Sequence, residues 1–167
     1  IDIKTGDIGI YKDKLQRVEA DESLWDYEGS NIKGYLGTGE LLKDVIVPNV
    51  LKKKDGTEIQ ITNVTLSNIN FEGTLTFSSG LTINTGTLNN CTTVKNIEIG
   101  DNVTIDGAYG TFYNCAELTT VTMGRSIKII DMWGERTLFN NCPKLASVKV
   151  ESLSEIVTNA LKGAGPA

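Results

Sequence analysis

One unit of apolar pattern recurs along residues 66–164, and its length changes are confined to one place. Each unit has a bulky apolar residue nine positions before an apolar-x-apolar segment, and a closing apolar residue eight positions after that segment starts. The segments begin at Leu75, Ile97, Val121 and Val148, which are 22, 24 and 27 residues apart. Only the step to the next unit varies, at 5, 7 and 10 residues. A period in the twenties with insertions at one point predicts a solenoid, in which each unit stacks on its neighbours.

The alternation within each unit predicts two short strands. Ile97-Glu-Ile99 and Val103-Thr-Ile105 have the two-residue period of half-buried strands, and Gly100-Asp101-Asn102 between them is typical of a turn. The Asn-rich Leu/Phe-x-x-Cys segments are too short for an ordinary helix and predict a single helical turn or a tight bend. The residues expected to form the structural core of these bends are Leu88, Cys91, Phe112, Cys115, Phe139 and Cys142.

Composition excludes several classes of partner. The chain has 167 residues and a net charge of −5, and its 16 basic residues are scattered apart from the run Lys52–Lys54, so no stripe is present to follow a nucleic acid. No apolar run approaches the roughly 18 to 20 residues that cross a bilayer, so no membrane span is expected in this fragment. Ile1 in place of an initiator methionine indicates a processed or trimmed chain.

The chain has no histidine, which removes the Ser/His/Asp and Cys/His nucleophile systems and most zinc sites. Hydrolysis by paired carboxylates would not need histidine, but no acidic pair is tied to a cleft. We therefore expect no enzymatic activity and no cofactor.

The three cysteines occupy the same position in successive units. In a stack their Cα–Cβ vectors run parallel, which makes the disulfide torsion hard to reach, so buried reduced thiols are expected. A cysteine metal site is the alternative, and it would need a fourth ligand. Asp101, Asp106 and Asp131 lack the spacing of a calcium loop, so no metal site is expected.

Two runs, Thr111-Phe-Tyr-Asn-Cys-Ala-Glu-Leu-Thr-Thr-Val-Thr-Met123 and Leu138-Phe-Asn-Asn-Cys-Pro-Lys-Leu-Ala-Ser-Val-Lys-Val150, resemble the BspA-like leucine-rich repeats of bacterial cell-surface and secreted proteins. The resemblance covers about residues 62–164. It implies a mainly β, leucine-rich-repeat-like solenoid of about four to five rungs, and an extracellular or cell-surface location in a bacterium. The sequence departs from the family pattern at Gly100 and Gly124, which stand where proline is common, and at Ile69, which replaces a cysteine.

The expected organisation has three parts. Residues 62–167 are the BspA-like repeats, residues 29–61 are atypical opening rungs, and residues 1–28 do not fit the repeat. Residues 1–28 combine strand-like alternation with one short helix-compatible segment. It is interpreted as a mixed α/β N-terminal cap covering the first rung, because an open solenoid end exposes apolar surface and unpaired backbone groups.

Two groups of residues are candidate ligand-binding sites. The first is an exposed column on the strands, formed by Thr76, Glu98, Thr122 and Lys149. The alternative for this column is a set of solvated strand residues. The second is the set of variable loops, with Tyr109, Trp133 and Arg136, since insertions in repeat arrays map to one edge and Trp and Arg dominate interface energetics. Trp133 folding back onto the stack is the alternative there.

These features predict a non-enzymatic binding module that recognises a protein or glycan on a host or neighbouring cell. The alternative function is a structural subunit of a bacterial surface appendage or envelope layer, with a pilin-like or spacer role. Self-association is a property that this alternative would require.

Overall fold

The computed structural model describes residues 2–5, 12–107, 110–130 and 138–156. The chain is mainly β and forms a β-solenoid of about three turns, so the expected count of about four to five rungs is not confirmed. Its strands are β1 (Asp2–Thr5), β2 (Glu19–Asp21), β3 (Trp25–Glu28), β4 (Asn31–Tyr35), β5 (Ile46–Val47), β6 (Val50–Lys52), β7 (Glu58–Gln60), β8 (Asn63–Val64), β9 (Gly73–Phe77), β10 (Thr82–Ile83), β11 (Val94–Ile99), β12 (Thr104–Asp106), β13 (Thr120–Met123), β14 (Ile127–Ile130), β15 (Ser147–Val150) and β16 (Leu153–Ile156). Short 3-10 helices span Lys12–Leu15, Glu22–Leu24 and Gly39–Leu42.

Two sheets form the walls of the solenoid. The front sheet has the strand order β1-β15-β13-β11-β9-β5, and all of its neighbours are parallel. The back sheet has the order β16-β14-β12-β10-β8-β4-β3 and is parallel except for the β3–β4 pair. A small third sheet, β2-β6-β7, lies in the N-terminal part of the chain. The two strands predicted for each repeat are confirmed, one in each wall.

The turn between the two strands of a repeat explains the glycines that replace the family's proline. A Cβ on Gly100 would lie 2.8 Å from the backbone nitrogen of Ser79, and a Cβ on Gly124 would lie 2.6 Å from the carbonyl oxygen of Gly100. Both approaches are shorter than van der Waals contact. The turns therefore stack too closely for any side chain at these two positions.

The Leu/Phe-x-x-Cys segments form tight bends, as their length predicted. Asn90, Asn114 and Asn141, each directly before a cysteine, adopt left-handed backbone conformations with φ of 64°, 59° and 59°. Asparagine tolerates this conformation better than most residues. The Asn114 side-chain amide donates to Asn90 Oδ1 at 2.8 Å, and Asn141 donates to Asn114 Oδ1. The bends are thus joined by a ladder of asparagine side chains.

The core lies between the two walls and is built from in-register ladders. Leu75, Ile97, Val121 and Val148 are aligned by strand pairing and are fully buried. At the bends, the rings of Phe112 and Phe139 stack with centroids 5.3 Å apart and an interplanar angle of 7°. Leu88, Cys91, Phe112, Cys115, Phe139 and Cys142, the expected core residues of the bends, are each at most 1% exposed.

Each cysteine thiol donates to a backbone carbonyl of the preceding repeat: Cys91 to Phe71 at 3.8 Å, Cys115 to Leu88 at 3.4 Å, and Cys142 to Phe112 at 3.2 Å. All three cysteines are buried and free. Burial raises the pKa of the Cys91 thiol, and a hydrogen bond with Cys142 together with burial raises that of Cys115. The reactive thiolate form of these two cysteines is therefore disfavoured, and burial shields all three thiols from reagents in solvent.

We expect the folded protein to react with less than about a tenth of an equivalent of Ellman's reagent, because a thiol must be ionised and accessible to react. After unfolding in guanidinium, all three cysteines should react. The measurement is the absorbance released before and after denaturation. Rapid labelling of a full equivalent in the folded protein would contradict the buried ladder.

The N-terminal region departs from the expected cap over the first rung. The β3–β4 hairpin does close the back sheet at its first rung, and Trp25 packs on Tyr35 with ring centroids 4.7 Å apart. However, β1 pairs with β15, at the opposite end of the front sheet. Between residues 12 and 28 the elements are strands and 3-10 helices, so the expected mixture of α-helix and strand is not confirmed.

Candidate functional site

The front sheet carries a column of side chains on its outward face, which is the face away from the core. Strand register aligns Ile46, Thr76, Glu98, Thr122 and Lys149 across the sheet. Glu98 and Lys149 are exposed, Thr122 is half-buried, and Ile46 is 46% exposed although it is apolar. We call these five residues the outward column.

Thr76 departs from the exposure that its position in the strand predicted, since it is only 7% exposed. The segment of residues 12–19, which we call the arm, lies over this part of the sheet. Leu15 in the arm is itself buried, and its carbonyl accepts the backbone N–H of Ser79 at 2.8 Å. The arm therefore converts one end of a flat sheet face into a groove.

Asn49 fastens the arm to the repeats through its side chain. Its Oδ1 accepts the backbone N–H of Val18 at 2.9 Å. Its Nδ2 donates to the carbonyl oxygens of Gln16 at 2.9 Å and Ser79 at 3.0 Å. One amide thus connects two points of the arm to the turn after β9.

Asp101 provides a second, charged attachment. Its side chain is 2% exposed, and its Oδ2 accepts from Gln16 Nε2 at 2.8 Å and from Arg125 Nη2 at 2.6 Å. Its Oδ1 accepts the backbone N–H of Arg125 at 2.8 Å. The hydrogen bond to Asp101 raises the pKa of the Arg125 guanidinium. Arg125 also lies 4.0 Å from Asp13 of the arm, so this ion pair joins the arm to two successive repeats.

A groove of about 580 Å³ lies between the arm and the outward column. Leu15, Val18 and Ile46 contribute aliphatic surface to it. Its other lining residues are Lys14, Arg17, Glu19, Thr76 and Glu98. Arg17 Nη2 is held by Glu19 at 2.6 Å and by Glu58 at 2.7 Å, and these hydrogen bonds raise the pKa of Arg17. The groove therefore combines aliphatic surface with charges of both signs.

A second column of polar side chains, adjacent to the outward column, is engaged in hydrogen bonds within the sheet. Thr120 Oγ1 donates to Asn96 Oδ1 at 2.6 Å, and Asn96 Nδ2 donates to Thr74 Oγ1 at 3.4 Å. Beyond it lies a more polar groove of about 490 Å³, lined by Glu40, Lys43, Glu72, Gly73, Thr93, Lys95 and Glu117. Its aliphatic surface is limited to the stems of its side chains. It therefore offers less apolar area to an anchor than the groove between the arm and the outward column.

The loop residues Tyr109, Trp133 and Arg136 lie outside the described residues, and so does Asp131. Their assignment to a ligand-binding edge stays a prediction. Among the residues that the structure describes, no cluster of three or more Cys, Asp or Glu side chains could hold a metal ion. Asp101, one of the three aspartates without calcium-loop spacing, forms an ion pair with the Arg125 guanidinium.

Sequence reasoning did not single out Leu15, Val18, Ile46 or Asn49 as site residues. Ile46 stood in an apolar run, Val45-Ile-Val47, where alternation left its direction ambiguous. The apolar residues of the arm had helix-compatible spacing, which gave no indication of the surface they cover. The departure of Ile46 from an otherwise polar outward column was the available signal.

Parallel strands in two walls, in-register apolar ladders and bends of fixed length define a repeat solenoid of the leucine-rich-repeat class. The model of the BspA type leucine-rich repeat region matches residues 57–165 in six copies. This is well over half of the chain, which therefore belongs to the BspA-type leucine-rich repeat family. Repeats of this class generally mediate protein interactions and are not enzymes.

No curated protein and no solved structure matches this chain. In the described part of the chain, no helix is both long enough and apolar enough to span a membrane.

Proposed function

We propose that this chain is a non-enzymatic recognition module that binds a protein segment in the groove between the arm and the outward column. The observation that carries the proposal is the composition of this groove. Leu15, Val18 and Ile46 supply aliphatic surface, and Lys14, Arg17, Glu19 and Glu98 surround it with charge. An apolar centre with a polar rim is the arrangement of a protein–protein contact.

Ile46 is the expected anchor of this contact. Large apolar side chains that stay 46% exposed on a regular strand offer area that a partner can bury. Burying one such side chain contributes on the order of 1.5–3 kcal/mol, or about ten- to a hundredfold in affinity. Glu98 and Lys149, further along the same column, supply charges of opposite sign that would orient the partner.

The rest of the proposal concerns the loops and the location. The variable loops with Tyr109, Trp133 and Arg136 are proposed as a second contact region, suited to a glycan or a protein through an aromatic ring and a guanidinium. Family membership supports a location on the bacterial surface or outside the cell, with adhesion or recognition of a host or neighbouring cell as the role.

The test is a parallel screen of the immobilised protein against a random-peptide phage library and a glycan array. Peptides should be enriched, and Ile46→Asp should weaken their binding about tenfold or more because it removes the apolar anchor. Glu98→Lys should weaken those peptides that carry a complementary charge. Lys128→Glu, an exposed change on the back sheet, is the matched control and should leave binding unchanged.

Circular dichroism of each variant separates lost binding from lost folding. Peptide binding that is equal in wild type, Ile46→Asp and Glu98→Lys would remove the groove as the site. Binding of glycans that is lost in Trp133→Ala and Arg136→Ala, without any peptide binding, would transfer the function to the loops and overturn the groove proposal.

A further inference from the structure

The N-terminal strand occupies the place of a repeat strand that follows β15. In the front sheet, β9, β11, β13 and β15 pair in one continuous register, and β1 adds to the edge of β15 in the same parallel sense. Ile3 is paired with Val148 and Lys4 with Lys149. Ile3 therefore holds the register position that Val148 and its equivalents hold in the preceding strands.

The sequences of the two strands are alike in pattern. Asp2-Ile-Lys-Thr5 aligns with Ser147-Val-Lys-Val150, with a β-branched residue at both of the positions that are inward in β15. Such residues suit a pleated, half-buried surface. Among the described strands, β1 is the one that pairs with this edge of β15, and without it those strands would leave the edge as a row of unpaired backbone groups, which is a template for strand addition.

Within the described residues, β1 pairs only with β15, while the arm that follows it lies at the other side of the sheet. The arm lines a groove together with residues of β5, β9 and β11, and β11 is three strand positions from β1, or roughly 14 Å. The chain between Thr5 and Lys12 can reach at most about 25 Å. The arm is fixed by Asn49 and Asp101 independently of β1. Within the described residues, β1 is therefore held by its pairing with β15 and is joined along the chain to the fixed arm.

We propose that β1 is an exchangeable strand, and that β15 accepts the N-terminal strand of a second copy of this chain in place of its own. Exchange conserves the strand pairing of β1 with β15, so copies can associate without a new interface having to form first. The acceptor is a sheet edge, whereas the proposed recognition site is a sheet face. Strand exchange therefore goes beyond the proposed function, and it would suit a subunit of a surface assembly.

The test uses full-length variants Lys4→Cys and Lys149→Cys, which place thiols at paired register positions of β1 and β15. The two variants are mixed, unfolded and refolded together at high concentration, and then treated with a short bis-maleimide. We expect an adduct between the two chains, several-fold above the control mixture of Lys4→Cys with Lys128→Cys. Lys128 is an exposed lysine on the back sheet. Mass spectrometry of the digested adduct should identify the peptides around positions 4 and 149 as the linked pair.

A single chain that carries both Lys4→Cys and Lys149→Cys completes the test. If it gives a link only within the chain, while the mixed variants give no more adduct than the control, β1 stays with its own β15 and the proposal is overturned. If neither preparation gives a link between the two positions, the β1–β15 pairing itself is absent, and the proposal is overturned as well. The wild-type protein, whose cysteines are buried, should give no adduct. Peptide binding in the arm groove is measured separately, so failure of exchange is distinguishable from failure of the recognition site.

Discussion

Replacing Phe112 by alanine should lower the free energy of unfolding by about 3–5 kcal/mol. The side chain is fully buried, and its ring stacks on that of Phe139 at 5.3 Å. Each repeat contacts only its neighbours in a solenoid, so a cavity at this position weakens the interface between two repeats and cannot be refilled from elsewhere. Equilibrium unfolding in urea is the measurement. A double-mutant cycle with Phe139→Ala should show about 0.5–1.5 kcal/mol of coupling from the stacked pair.

The backbone at Phe112 provides a sharper comparison. Its φ is 62°, a left-handed conformation that disfavours every residue with a Cβ by about 1–2 kcal/mol. Phe112→Gly should therefore be less destabilising than Phe112→Ala by about 1 kcal/mol, although glycine is the smaller residue. Leu41→Ala, at an exposed apolar position, is the control and should change stability by no more than about 0.5 kcal/mol. A larger loss of unfolding free energy for Phe112→Gly than for Phe112→Ala, or a loss under about 1 kcal/mol for both variants, would contradict this account.

The repeats were predictable from the sequence because their constraints are local and recur. A fixed step of nine residues from Phe112 to Val121, and the two-residue alternation after it, place the same side chain inward in every unit. The cysteines follow from the same regularity, since one register position buries all three. In the sequence, the glycines at positions 100 and 124 stand out only as departures from the family pattern. Their reason, the close approach of successive turns, needs the neighbouring repeat to be in place.

The placement of β1 was not predictable in the same way. Four alternating residues indicate a strand, but they do not indicate which edge it joins. Pairing with β15 links residues about 145 positions apart. Nearness in the sequence instead predicts that the strand covers the first rung of the array. The likeness of Asp2-Ile-Lys-Thr5 to Ser147-Val-Lys-Val150 was the available signal. It is short enough to be ambiguous without the rest of the sheet.

At the candidate site, a segment from elsewhere in the chain changes the exposure of a residue whose outward position the alternation predicted. Thr76 does lie in the column with Glu98, Thr122 and Lys149, but the arm covers it. No local feature of Thr76 could show this, because the covering residues come from positions 12–19. The groove exists only where a nonrepeating segment crosses a repeating surface. Insertion length, which is a property of the repeats alone, pointed to the loops instead.

Asp101→Ala should lower the free energy of unfolding by about 2–4 kcal/mol and release the arm. The carboxylate is 2% exposed and accepts from Gln16, from the Arg125 guanidinium and from the Arg125 backbone. Its removal takes away the acceptor that these donors share at a tightly stacked turn, and hydrogen bonds to charged groups contribute more than neutral ones. Urea unfolding gives the global effect. Limited trypsin digestion gives the local one, because Lys14 and Arg17 are exposed in the arm and should be cleaved faster once it detaches.

Two comparisons separate arm release from general destabilisation. Gln16→Ala removes the hydrogen bond from the arm to Asp101 but keeps the Asp101–Arg125 ion pair. It should therefore speed cleavage at Lys14 and Arg17 with a smaller loss of global stability than Asp101→Ala. Asp26→Ala, at an exposed position on β3, should change stability by no more than about 0.5 kcal/mol and leave the cleavage pattern as in wild type. If Asp101→Ala loses stability but is cleaved at many sites simultaneously, the carboxylate holds the turns of the solenoid together and the arm is secured chiefly by Asn49. Because the groove needs the arm in place, an Asp101→Ala protein that is cut only within the arm should also show the weaker peptide binding that is expected of Ile46→Asp.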